Sequence, residues 1–292
     1  MRLPSTLAYG ALCQAASAAA RAGQFRYLRA VRVRLIALVI AATGGALSWQ
    51  VGEGDVWAWI AFIGFLVALA AEVVLLATHP ERKWFEGRAA AESAKTLSWR
   101  YGVGGAPFPI DRKPNEMHSA FLEQIAAIAR TLQGEFPTPI DGSKLQITPQ
   151  MEGLRKESFA QRKEAYLVNR IQNQRNWYEH RSRAAERNGN LFLIGAIALE
   201  FAGVLAAALR VAAVIRFDLL GIISAIVAGL AAWSQTRQYG STARAYALAA
   251  NELSLIETKT GLVAEADWPP FVAEAEAAIS REHTLWTALH RP

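Results

Sequence analysis

Residues 35–51, LIALVIAATGGALSWQV, and residues 57–78, WAWIAFIGFLVALAAEVVLLAT, decide how this chain is read. They are apolar runs joined by the tight polar turn Gly52-Glu53-Gly54-Asp55, and a second pair repeats the plan. That pair is Leu191–Leu209 and Phe217–Trp233, with Arg210 and Arg216 in its short connector. A hydrocarbon core about 30 Å thick needs roughly 20 apolar residues of helix, with a working range of about 17–25. All four runs fall inside that range, the first and the last at its lower edge. The fold class expected is therefore all-α: an integral membrane protein with four transmembrane helices as two hairpins, plus a cytoplasmic helical stalk.

The rest of the composition fits a chain only partly in lipid. Of 292 residues 52% are hydrophobic, the formal charge is +6, and mean hydropathy is only +0.14. A pI near 9.6 raises nucleic acid as a partner, but the basic residues crowd beside the apolar runs. Arg21, Arg26, Arg29, Arg32 and Arg34 precede the first hairpin, and Arg82, Lys83 and Arg88 follow it. Arg175, Arg181, Arg183 and Arg187 precede the second, and Arg237 and Arg244 follow it. By the positive-inside rule both termini and the middle segment are cytoplasmic and the hairpin tips face outward. Anionic headgroups account for the basic balance, so the lipid bilayer is the expected partner and nucleic acid is not.

The residues that would mark chemistry are absent or scattered. Cys13 is the only cysteine, which excludes an intramolecular disulfide framework. His79, His118, His180, His283 and His290 have no metal-ligand spacing, and no Gly-rich phosphate loop or nucleophile elbow occurs. No enzyme, metal or cofactor is expected. A signal peptide is excluded for the first run, which begins too far along and is followed at once by a second.

Each half carries a basic helix into a hairpin and a second helix out of it. The outgoing helix bears a small-small-x-Glu element, Ala89-Ala90-Ala91-Glu92 in one half and Ala249-Ala250-Asn251-Glu252 in the other. The expected domains are a two-span module over 1–106, a Pro/Gly-rich cytoplasmic linker over 107–148, and a second two-span module over 149–292. Within the linker, Phe121, Leu122, Ile125, Ile128, Ala129 and Leu132 recur at helical spacing and predict a helix over about 115–133. Thr148-Pro149 predicts the start of a long helix, with no Pro or Gly from Leu154 to Asn188. Pro269-Pro270 predicts another over 271–289. Trp84, Arg88, Glu92, Lys95 and Trp99 share one helical face, with Glu92 and Lys95 at ion-pair spacing. That face reads as a juxtamembrane brace or as a gate lever.

Two strings resemble a known family. Trp84-Phe85-Glu86-Gly87-Arg88, then Ala91 to Leu97, Trp99-Arg100-Tyr101 and Pro107-Phe108 are similar to the signature that follows the hairpin in bacterial SLATT domains. The second half resembles a related SLATT subtype through Arg162-Lys163, Tyr166, Arg170, Gln174, Trp177-Tyr178, Tyr246 and Glu252, then Phe271-Val272, Glu276, Glu282 and Trp286. The resemblance implies a tandem of two-transmembrane effector domains that associate with SMODS nucleotidyltransferases and SLOG proteins. It further implies a homo-oligomeric, pore-forming effector of an antiphage system acting by abortive infection in the bacterial inner membrane. An upstream nucleotide-signal-generating or sensor protein is the implied partner. A non-conducting scaffold that recruits a cytoplasmic sensor, and a small transporter, are the alternatives. Transport is disfavoured because no run is broken by proline. Glu200 and Glu72, the two acids within the apolar runs, are the candidate pore-lining residues.

Overall fold

The computed structural model describes residues 7–47, 50–51, 54–131, 144–214 and 218–290, with backbone only for 50, 51, 54, 131 and 281–290. The polar turn at Gly52-Glu53, the connector residue Arg216 and the linker prolines at 137 and 139 lie outside them. The described chain is helical apart from one two-residue ladder, in which β1 (Gln50–Val51) pairs antiparallel with β2 (Gly54–Asp55). The helices are α1 (Ala11–Ala46), α2 (Val56–Thr78), α3 (Pro80–Val103), α4 (Pro114–Thr131), α5 (Pro149–Lys156) and α6 (Phe159–Tyr166). A π segment (Leu167–Gln172) leads into α7 (Asn173–Val211), followed by α8 (Leu219–Arg237), α9 (Tyr239–Leu262) and α10 (Trp268–His290).

Three helical stretches are long and apolar enough to cross a membrane: Val56–Thr78, Phe159–Val211 and Leu219–Leu262. The first apolar run is not among them. The sequence reading carries it to Val51, but α1 stops at Ala46 and Gln50–Val51 turns into the β ladder. Leu35 to Ala46 rises only about 18 Å at 1.5 Å per residue, and the helix before it carries Arg29, Arg32 and Arg34. Asp55 ends the ladder and opens α2, its carboxylate accepting from the amides of Trp57 and Ala58.

The chain forms two compact units, and each draws on both halves of the sequence. One comprises residues 24–80 and 184–241. Its apolar windows in α2, α7 and α8 are only 17%, 11% and 0% buried, so large side chains such as Phe65, Leu69, Phe201 and Val204 point outward. A surface of that kind belongs in lipid or against another chain. Glycine allows its closest internal approach. A Cβ on Gly64 would lie 2.9 Å from the Ala37 carbonyl oxygen and the Ala41 Cβ, and one on Gly44 would lie 2.7 Å from the Ala61 amide and the Trp57 carbonyl. Small residues thus let α1 and α2 meet backbone to backbone. Arg32 lies 5.1 Å from the Trp233 ring centroid.

Helices α2 and α8 of this unit end alike. His79 after α2 and Gln238 after α8 each take a left-handed conformation, φ 38° and 46°. Each is followed by a 24-residue helix, α3 or α9. The short alanine-glutamate elements fall at matching depths in those helices, which strengthens the reading of an internal repeat.

The other compact unit, residues 1–23, 81–183 and 242–292, holds a conventional buried core. Trp99, Tyr101, Phe108, Phe121, Tyr166 and Trp268 are at most 1% exposed. Phe108, Phe121 and Ile125 come from the Pro/Gly-rich stretch and belong to that core. Its helix is α4, which matches the predicted one as far as Thr131; Leu132 and Gln133 lie outside the described residues.

One half-buried and one buried arginine serve the backbone here. Arg155 donates to the carbonyls of Tyr101, Phe108 and Pro109 at 2.9, 2.8 and 2.6 Å. Arg162 and the Trp268 indole both donate to the Val103 carbonyl. Together they satisfy the Tyr101 and Val103 carbonyls at the end of α3 and two carbonyls of the loop after it. Part of the basic excess assigned to headgroups is therefore spent inside the protein.

The predicted uninterrupted helix from Leu154 is broken. Thr148 caps α5 as expected, its hydroxyl accepting from the Met151 amide. Glu157 then leaves the helix in an extended conformation, and Ser158 opens α6 with a reciprocal capping box to Gln161. The absence of Pro and Gly does not keep a helix whole where Ser-x-x-Gln at 158–161 offers a new N-terminus. From Phe159 the helix does run on into the third apolar stretch.

Candidate functional site

The most strongly built polar cluster lies in the core of the second-described unit. Tyr166 ends α6 and Arg170 lies in the π segment, a widened turn of the kind that often marks functional positions. From α10 comes Glu276, between the apolar neighbours Val272, Ala275 and Ile279, and from α3 comes Thr96. Arg170 donates twice to Glu276, Nε to Oε1 at 2.9 Å and Nη2 to Oε2 at 2.7 Å. The Tyr166 hydroxyl donates to Oε1 at 3.1 Å and the Thr96 hydroxyl to Oε2 at 2.9 Å. Arg170 and Glu276 are 1% and 0% exposed. Burial disfavours the guanidinium charge, but the adjacent carboxylate outweighs it and raises the Arg170 pKa further. Arg170 Nη1 is buried with no hydrogen-bond partner among the described residues. Closed to solvent, the cluster ties α3, α6, the π segment and α10 together. Among the described residues no group of three His, Cys, Asp or Glu side chains is placed to hold a metal ion.

The two sequence signatures meet around it. Trp99 is 1% exposed, donates from Nε1 to the Tyr9 hydroxyl at 3.1 Å, and packs edge-on to Tyr166 at 5.9 Å. Trp84 is buried against Phe85, and Lys95 pairs with Glu92 at 2.7 Å. Arg88 is half-buried on the same helix. Trp177 is 38% exposed and contacts Tyr178, Tyr246 and Arg181. Gln174 and Glu252 are half-buried. Glu282 and Trp286 fall in α10, where side chains lie outside the described residues. Thr96 and Tyr9 were missed as site residues, and Glu276 was read only as part of the family string. The available signal for Glu276 was a carboxylate on the apolar face of its helix, which demands a buried partner.

The two candidate pore residues have different surroundings. Glu72 forms an ion pair with Arg34 of α1. Glu200 is exposed on α7, halfway along its apolar run. It lines an apolar groove of about 510 Å³ with Gly203, Val204, Leu220, Ile223 and Ser224.

Cys13 is 3% exposed, its thiol 3.6 Å from the Ala91 carbonyl oxygen, and burial pushes its pKa up to about 11. At neutral pH about one thiol in ten thousand is ionised, so the folded protein is expected to resist maleimide until denatured. An unfolded thiol ionises near 9. Between those values the unfolded state holds fewer protons, so stability falls as pH rises, by up to about 1.4 kcal/mol per unit. Tyr9, also raised by burial, adds to the loss only above pH 10. Denaturant titrations between pH 9 and 10 should therefore show a slope that Cys13→Ala removes.

No curated protein and no solved structure matches the chain. Two family profiles do: SMODS and SLOG-associating 2TM effector domain 3 over residues 11–163, and SMODS and SLOG-associating 2TM effector domain 1 over residues 166–286. With α2, α7 and α8 supplying helices long enough to span a bilayer, the chain belongs to the SLATT family of two-transmembrane effector domains, carried here in tandem.

Proposed function

We propose that this protein is a pore-forming effector of a bacterial conflict system, acting as a homo-oligomer in the inner membrane. Glu200 is the observation that carries the reading. A carboxylate exposed halfway along an apolar helix costs roughly 2.5–3.5 kcal/mol when it faces lipid on insertion scales, so such groups usually face protein or water. Assembly around the α7–α8 face would turn several copies of Glu200 toward a shared aqueous axis. The Arg34–Glu72 pair gives Glu72 a structural partner instead, which makes it the weaker pore candidate. In this proposal α1 completes a fourth span, with both termini and residues Pro80–Asn188 on the cytoplasmic side.

Two measurements test it. Induced expression should depolarise cells, and purified protein should release ions from sealed liposomes; a silent result in both ends the pore reading in favour of a scaffold. Cysteines placed singly at Glu53, Lys113 and Arg291 in a Cys13→Ala background should react with an impermeant maleimide from outside the cell only at Glu53. External labelling at Lys113 would reject the two-hairpin topology.

A further inference from the structure

The unit formed by residues 24–80 and 184–241 holds a groove of about 410 Å³, separate from the one that Glu200 lines. Its walls are Ile36, Val39 and Ile40 of α1, Phe192 of α7, and Ile226 and Leu230 of α8. Arg32 and Trp233 close one end, the guanidinium 5.1 Å from the ring centroid. Farther along, a Cβ on Gly229 would stand 3.4 Å from the Val39 Cγ2. Residue numbers thus rise along α1 as they fall along α8, and the two helices run antiparallel. From Arg32 to Ile40 the slot is about 12 Å long at 1.5 Å per residue. Arg32 is its only charged lining residue.

Arg32 is exposed, and among the described residues its guanidinium has no ion pair; what it meets is the Trp233 face. The acids of this unit are engaged or distant. Glu72 holds Arg34, Asp218 holds Arg210, and Asp55 caps α2. Glu53, outside the described residues, belongs to the turn beyond the far end of α1, and Arg32 to Ala46 alone is about 21 Å of helix. Glu200 lines the other groove, and Glu186 is exposed beside Arg187, before Phe192 on α7.

We propose that this groove seats an acyl chain of an anionic phospholipid, with the headgroup phosphate on Arg32. An Arg and a Trp side by side at the end of an apolar slot match the order of a lipid, headgroup first and hydrocarbon after. The planar guanidinium fork suits phosphate oxygens, and the volume lies within the range of small-molecule sites, about 300–1,000 Å³. A neutral apolar molecule would leave Arg32 without a counter-ion, and a small polar anion would leave Ile36 and Leu230 uncovered. An apolar helix of a second copy would press side chains, not a counter-charge, onto Arg32. The inference rests on α1 standing in the bilayer, as proposed above, and not on conduction.

The test uses the full chain in phosphatidylcholine nanodiscs holding a minor fraction of phosphatidylglycerol. A photoreactive diazirine is carried in the acyl chain of one lipid or the other, and labelled peptides are read by mass spectrometry. Phosphatidylglycerol should label residues 33–40 and 226–233 in excess of phosphatidylcholine, in competition with unlabelled phosphatidylglycerol. Both lipids should label the outward-facing Phe65 and Leu69 of α2 alike. Arg32→Gln should lower the excess about fivefold, the share of one surface cation in binding an anionic leaflet, and Arg32→Lys should keep most of it. Arg26→Gln removes the same charge from another face of α1, about 240° around the helix, and should leave the excess unchanged. Cys13 protection from maleimide verifies that each variant is folded. Ile36→Trp fills the slot and keeps Arg32, so it should abolish the excess even where Arg32→Gln fails to fold. Equal labelling of the groove by both lipids means ordinary boundary contact and overturns the proposal. An undiminished excess in folded Arg32→Gln or in Ile36→Trp, or an equal loss in Arg26→Gln, does the same. Absence of any groove label also overturns it, and Ile36→Cys in a Cys13→Ala background tells why. Disulfide-joined copies give the groove to a second chain, whereas ready reaction with water-soluble maleimide fails the fourth span itself.

Discussion

Glu276→Leu is expected to destabilise the protein by about 3–5 kcal/mol, the usual cost of stranding one member of a buried ion pair. Arg170 would keep its charge at 1% exposure with no counterion, and the hydroxyls of Tyr166 and Thr96 would lose their acceptor. For a chain of this size the apparent Tm should fall by on the order of 10 °C. Arg170→Met should cost a similar amount, since it leaves a carboxylate buried instead. Combining the two changes should recover at least half of either loss, because an apolar pair of similar volume pays no desolvation penalty. Thermal unfolding in detergent, followed by tryptophan fluorescence, supplies all three values. Single variants within 1 kcal/mol of the parent would show that the pair is not a structural lock.

The second large effect concerns Glu200. If copies of Glu200 surround an aqueous axis, their charges should attract cations as acidic rings do in selective pores. A carboxylate about 4 Å from a permeating ion is worth about 1–4 kcal/mol between the dielectric of water and that of a protein surface. Glu200→Gln, which preserves size, should then reduce cation-over-anion preference about tenfold or more in bilayer recordings, while assembly is unchanged. Glu200→Leu should behave as neutral or stabilising, with toxicity intact, if the group is only a packing residue. Unchanged selectivity and toxicity in both variants would remove Glu200 from the pore.

The membrane character of the chain was legible because apolar length is a local property. Val56–Thr78 and the stretch into Val211 can be read from adjacent residues alone, and so can the Thr148 cap. Membership of the SLATT family was legible from aromatic and charged spacing. The site was less so. Arg170 and Glu276 are 106 residues apart, and Thr96 lies still farther along the chain from its acceptor, so no window of sequence contains the cluster. Arg155 and Arg162 look like ordinary surface cations until the open carbonyls at the end of α3 are placed beside them. The break at Glu157–Ser158 carries its own local signal, the Ser158–Gln161 capping box, which a search for Pro and Gly alone does not see.

The interleaving of the two halves bears on how such a tandem protein can change over generations. The family profiles divide the chain near residue 165, yet one continuous core takes Leu12, Trp99 and Phe121 from the first matched segment and Tyr166, Leu253 and Val272 from the second. Duplicated domains that fold separately are free to be lost, shuffled or replaced one at a time. Here either segment expressed alone would expose half a core, and a replacement segment would have to match the surviving half across Trp99, Thr96 and Glu276. Exchanging one segment alone is therefore expected to cost the fold, and a change on one side of the core calls for a matching change on the other.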